Sequence, residues 1–240
     1  LSDRQANRDA PASPDQILRG LAWELKGPLT YIARLAELQR MAAGSEESGK
    51  SIESVAQEAL TLLDSYLLAA QTEYGQVQLP LEGVGIGAVL YDVSQALQPF
   101  AQVSGCEVKL HINRDTAVMS HAKGLRTILT CIAQFVIDQA PAGDAPHVVQ
   151  LKTYRRRSGE LGAGIFADYL NCTQSDIKRA RRLYGRAHMA VSLRGSSPGV
   201  RLAIAENLAS SIGAELAIIR SGGQRGIGLN LVTSRQLSLV

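Results

Sequence analysis

Nine basic residues fall between Lys152 and Arg186 (Lys152, Arg155, Arg156, Arg157, Lys178, Arg179, Arg181, Arg182 and Arg186), and only Glu160, Asp168 and Asp176 oppose them. Nine against three leaves +6 on this stretch, while the whole chain carries +3. The remainder is therefore net negative, and an anionic ligand or partner would be drawn to this stretch. It matches no recognised nucleic-acid-binding motif, so neither nucleic acid nor an anionic membrane is the expected target. A second anion-binding feature is Ser197-Pro198-Gly199, a capping hydroxyl followed by proline at a first helical position, which presents backbone N–H groups at a helix N-terminus. The histidines are His111, His121, His147 and His188, and none lies in the first 110 residues. Cys106, Cys131 and Cys172 are widely spaced and form no paired motif, which fits a reducing, cytoplasmic setting better than a disulfide framework.

Holding such groups in place requires elements that the apolar spacing reveals. A chain of 240 residues exceeds one small core and suits two compact domains. No apolar run approaches the roughly 18 residues that cross a bilayer, so no membrane contact is expected in this segment. Leu18, Leu21, Leu25, Pro28, Ile32 and Leu35 follow a 3,4,3,4,3 spacing, and Ile52, Val55, Ala59, Leu62, Tyr66 and Ala69 repeat it. Between them lies a Gly- and Glu-bearing turn over 43–49. This predicts an antiparallel helical hairpin over 15–73, after a flexible lead-in over 1–14. A lone hairpin covers only one face, so pairing of two copies into a four-helix bundle is the economical arrangement. Trp23 falls opposite the hairpin seam, which predicts an exposed indole suited to docking a partner.

Residues 74–85 hold Gly75, Pro80, Gly83 and Gly85 and read as a linker with a short extended piece at 77–81. Beyond them, helices are predicted near 89–100, 123–139, 175–184 and 198–212. Strands are predicted at 107–112, 116–119, 147–154, 161–167, 189–193, 215–220 and 227–233. The fold class is α+β: the hairpin, then an α/β sandwich over 86–240 with its helices mostly on one face.

Ala22-Trp23-Glu24-Leu25-Lys26-Gly27-Pro28-Leu29-Thr30 resembles the phosphoacceptor box of sensor histidine kinases, whose pattern is His-Glu-Leu-Arg-Thr-Pro-Leu-Thr. The order of elements resembles that family too, as a dimerisation hairpin followed by a GHKL-type ATP-binding domain. Ser197 to Ile204 and Gly226-Ile227-Gly228 carry the likeness at the C-terminal end. The resemblance implies a two-component signalling module. Trp23 stands where the family carries its phosphorylated histidine, and an indole has no basic nitrogen to accept a phosphoryl group. A histidine phosphotransferase with a decayed ATP domain fails by the same count.

The family's Asn-x-x-x-Asn face, which supplies the Mg²⁺ ligand, falls on Cys131 and Phe135, and a phenyl ring cannot ligate a cation that wants oxygen. Its Asp-x-Gly-x-Gly falls on Asp168-Tyr169-Leu170-Asn171-Cys172, with the Asp kept and both glycines filled. Arg201 replaces a glycine of the phosphate-binding helix, although Ser197 and Gly199 still open that helix. The expectation is a homodimeric pseudo-histidine-kinase with no required cofactor and weak ATP binding at most. Its partner would be a response regulator or another signalling protein docked on Trp23, Glu24 and Lys26. The alternative is a nucleotide-binding kinase or ATPase that uses Asp138, one turn from Phe135, together with the basic stretch 152–186 in place of the family's ligands.

Overall fold

In the computed structural model the described residues are 25, 27–32, 34–35, 46–73, 78–112, 116–142, 146–155, 161–183 and 198–233. Those between 25 and 35 are helical, and Pro28 among them is buried. Helix α1 (Glu46–Glu73) follows. Its Val55, Ala59, Leu62, Tyr66 and Ala69 are all buried, so the spacing seen in the sequence marks a real packing face. Leu62, Tyr66 and Ala69 join the same continuous apolar core as the helices and strands that follow.

Those elements run β1 (Glu82–Gly85), α2 (Ile86–Val103), β2 (Cys106–His111), β3 (Ala117–Ser120), α3 (Ala122–Asp138), β4 (His147–Arg155) and β5 (Leu161–Ala167). After them come α4 (Gln174–Leu183), α5 (Pro198–Ser211), β6 (Glu215–Ser221) and β7 (Gln224–Thr233). β1 takes up residues 82–85 of the stretch read from sequence as a linker, because Val84 is buried and the strand pairs with β3. The extended piece expected at 77–81 is not a strand in its described residues, 78–81. The strand expected at 189–193 lies outside the described residues.

The sheet has seven strands. β5 pairs with both β4 and β7, β6 lies on the other side of β7 along 224–230, β3 pairs with the end of β7 at 232–233, and β1 extends β3. Only the β2–β4 pair is parallel among the described strands. Alternation along β5 sends Ala163, Ile165 and Ala167 into the core beneath α2, α3 and α5, and sends Gly162, Gly164 and Phe166 to the opposite face. Helix α3 exposes Lys123 and Arg126 near its start but is buried over most of its length, with Leu125, Ile128, Leu129, Ile132, Ala133 and Val136 fully buried, so it sits at the centre of this layer. Its N-terminus is capped by His121, whose Nδ1 accepts the Gly124 N–H at 3.0 Å.

The β6–β7 turn is tighter than the sequence suggests. Ser221 pairs directly with Gln224, and Gly222 and Gly223 supply the positive φ values (58° and 80°) that a two-residue hairpin turn demands. Gly226 and Gly228 consequently lie inside β7 rather than in a turn. A Cβ at Gly226 would stand 2.5 Å from Phe166, and one at Gly228 would stand 2.3 Å from Ile219 and 2.5 Å from the Tyr154 hydroxyl. These glycines make room for side chains on the face away from the helices.

Candidate functional site

Helix α3, the turn after β5, α4 and the start of α5 converge where the sequence places a nucleotide site. Asp168 stands exposed just past the end of β5. Leu170 and Cys172, at the two positions where the resembled family has glycine, are buried and belong to the continuous core. Cys131 is 1% exposed and Phe135 7% exposed, and both belong to that core as well. Burial pushes the Cys131 and Cys172 thiols up to about 11, so neither supplies a thiolate near neutral pH. Tyr169 turns inward, and its hydroxyl donates to the Val136 carbonyl at 3.1 Å while its ring meets His147 edge-on at 5.1 Å. The same residue types that remove metal ligands and glycines from the sequence are thus buried in the core.

Helix α4 lies where the basic stretch would provide anion contacts. Thr173 opens it, donating from its backbone N–H and its hydroxyl to Asp176 Oδ2 at 2.8 and 2.6 Å. These bonds hold the Asp176 carboxyl below the ordinary carboxylate range. Ile177 and Ala180 point into the core, while Lys178 and Arg179 face outward. Gln174 fastens the helix to the edge of β6: its Oε1 accepts the Ile218 N–H at 3.1 Å and its Nε2 donates to the Leu216 carbonyl at 3.4 Å. Lys152, the first residue of the basic stretch, instead donates to Gln224 Oε1 at 2.7 Å and lies 5.2 Å over the Phe166 ring. The described basic residues of the stretch are therefore divided between β4 and α4. Gly199 lies in the first turn of α5. Trp23, Glu24, Lys26 and Ser197 lie outside the described residues.

The sequence reading missed the role of Arg201. This side chain is wholly buried on α5, although the sequence suggested only that it replaces a small residue. Its Nη2 pairs with Glu58 Oε1 of α1, its Nη1 donates to Gln134 Oε1 of α3, and its Nε lies 3.2 Å from Asp138 Oδ2. The last contact has ion-pair distance without hydrogen-bond alignment, so both atoms remain without a hydrogen-bond partner. The guanidinium also lies 5.9 Å over the Phe100 ring of α2. One cation thus ties four helices together.

Removal from water raises the Glu58 carboxyl from 4.5 to about 7, outweighing the attraction of Arg201, with the nearby Asp138 adding to the rise. Burial likewise raises Asp138, against the pull of the same guanidinium. Asp138, proposed from sequence as a substitute metal ligand, is therefore engaged by a cation. Gln134 and Asp138 stand one turn apart on α3, so a polar pair four residues apart in its apolar C-terminal half was the available signal.

No protein-family model matches the chain. It is 26% identical over 216 residues to the swarming motility regulation sensor protein RssA of Serratia marcescens, covering 89% of this chain and 45% of that protein. It is also 26% identical over 230 residues to the sensor protein DivL of Caulobacter vibrioides, covering 91% of this chain and 28% of that protein. The chain thus spans less than half the length of these curated relatives. Its fold is similar to that of the Acinetobacter baumannii histidine kinase AdeS, with a TM-score of 0.57 at 13% identity over 88% of this chain and 98% of that one. It is similar also to full-length ShkA, solved in complex with AMPPNP, with a TM-score of 0.55 at 19% identity over 92% of this chain and 46% of that one. No helix among the described residues is long and apolar enough to cross a membrane. The chain is thus similar in sequence, over about nine-tenths of its length, to two sensor proteins, and similar in fold to histidine kinases.

Proposed function

We infer that the chain is a two-component signalling module that has lost phosphoryl transfer and acts by pairing with a second copy and binding a protein partner in the cytoplasm. The observation that carries this reading is Trp23 at the phosphoacceptor position, since indole nitrogen cannot hold a phosphoryl group. The filling of the nucleotide region by Phe135, Leu170 and Cys172 supports it from a second direction. Pairing through a four-helix bundle is favoured by Leu60 and Leu67, seven residues apart on α1 and exposed by 54% and 42%, on residues that its inward face leaves out. The partner expected is a response regulator docked on Trp23, Glu24 and Lys26. ATP is not required, and any residual binding is weak.

Calorimetry with a response-regulator receiver domain tests this. Trp23→Ala is expected to weaken binding at least tenfold while light scattering still gives a dimer mass. Unchanged affinity overturns the docking surface, and a monomer mass for the unmodified chain overturns the pairing. The retained and exposed Asp168 leaves one specific opening for the nucleotide-binding alternative. A thermal stabilisation by Mg²⁺ and ATP approaching the ~2.7 kcal/mol that saturation at 100 times the dissociation constant provides, and lost in Asp168→Ala, would replace the present reading with that one.

A further inference from the structure

Glu58, Arg201 and Asp138 come from α1, α5 and α3, and together they place two carboxyl groups and one guanidinium in a space largely closed to water. With one carboxyl protonated the cluster is neutral. With both ionised it carries one uncompensated negative charge, which a buried site holds only at a penalty. The contact between Arg201 Nη2 and Glu58 Oε1 survives protonation, because a neutral carboxyl keeps its carbonyl oxygen as an acceptor. Protonation therefore preserves the contact and removes the charge imbalance.

We propose that Glu58, Arg201 and Asp138 form a protonation-sensitive latch that fastens helix α1 to the α/β layer, closed while Glu58 holds its proton and loosened when it ionises. The other groups facing the cluster do not compete for this role. Cys131 on α3, pushed up to about 11 by burial, stays a neutral thiol across neutral pH, and so do Cys106 and Tyr169, both raised by burial near Asp138. Ser65 on α1, Gln134 on α3 and Phe100 on α2 do not titrate in this range. Glu58 binds its proton more tightly with the latch closed than in water. Closure is therefore fully favoured below its ordinary value of 4.5, and that advantage is lost as the pH rises through about 7. The inference stands whether or not the chain has lost phosphoryl transfer, because it concerns how α1 is held.

Hydrogen exchange on the full chain between pH 6 and 8.5, expressed as protection relative to the unfolded chain, tests it. Protection of α1 amides over 55–69 is expected to fall about tenfold relative to β5 amides over 161–167. A parallel pH response of the two elements overturns the latch. Glu58→Gln is expected to flatten the profile while keeping α1 protected, and an unchanged profile overturns the assignment to Glu58. Should Glu58→Gln not fold, Asp138→Asn supplies the second arm. Removing the neighbouring negative charge moves the fall in α1 protection to lower pH, and an unmoved profile overturns the cluster.

Discussion

Helix α3 serves two regions that have opposite chemistry within one turn of each other. Along Phe135 it faces the apolar core, to which Leu170 and Cys172, at the places the resembled family reserves for glycine, also belong. Along Gln134 and Asp138 it faces Arg201 and, through it, Glu58 of α1. Both arrangements pack α3 into the interior of the domain. The first does so by dispersion and loss of apolar surface, which proton concentration does not touch. The second does so by balancing charges out of water, which makes it strong when complete, costly when broken and dependent on pH. Deleting one side chain from each region should separate the two mechanisms.

The largest effect is expected for Arg201→Ala. Two buried carboxyl groups then lose their only cation among the described residues, and breaking a buried pair in this way typically costs about 3–5 kcal/mol. Urea unfolding should show a greater loss at pH 8 than at pH 5.5, because the carboxyl groups can take up protons at the lower pH and shed the unpaired charge. An equal loss at both values would mean that Arg201 acts through packing alone, as its contact with the Phe100 ring permits.

Leu170→Ala is the matched deletion in the apolar region. Truncating a buried leucine costs about 2–5 kcal/mol through lost transfer energy and the cavity left behind. The same urea measurement should return the same loss at pH 5.5 and pH 8. A pH-dependent loss would join the two regions into one network and undo the comparison.

The two regions also differ in how far sequence alone exposed them. Phe135 and Leu170 were legible as replacements, because an apolar residue where a ligand or glycine is needed speaks for itself. The strands were legible for a related reason: 161–167 was read with the bounds that β5 has, since both its faces are covered and its run is continuously apolar and small. Arg201 was legible only as an oddity. Its three partners lie 143, 67 and 63 positions away, and nothing local distinguishes a buried arginine from one at the surface until α1 and α3 are brought beside α5. The same limit applies to Gly226 and Gly228. Their meaning depends on Phe166, Ile219 and Tyr154, which only strand pairing delivers.

The smallest expected effect sharpens the comparison at the rim of the two regions, where α4 covers the edge of β6. Gln174 stands in for a neighbouring strand, accepting one backbone hydrogen bond from β6 and donating another to it through a single amide. An uncovered strand edge offers unpaired backbone groups to water, so here the amide's absence exposes those groups rather than stranding them. Gln174→Ala should therefore cost only about 1 kcal/mol, the net value of ordinary hydrogen bonds exchanged for water. The loss should be local: the Ile218 amide is expected to exchange faster while those of β5 keep their protection. Faster exchange in β5 as well would mean that α4 holds the filled region closed, and that the apolar side of the comparison depends on a polar clasp at its border.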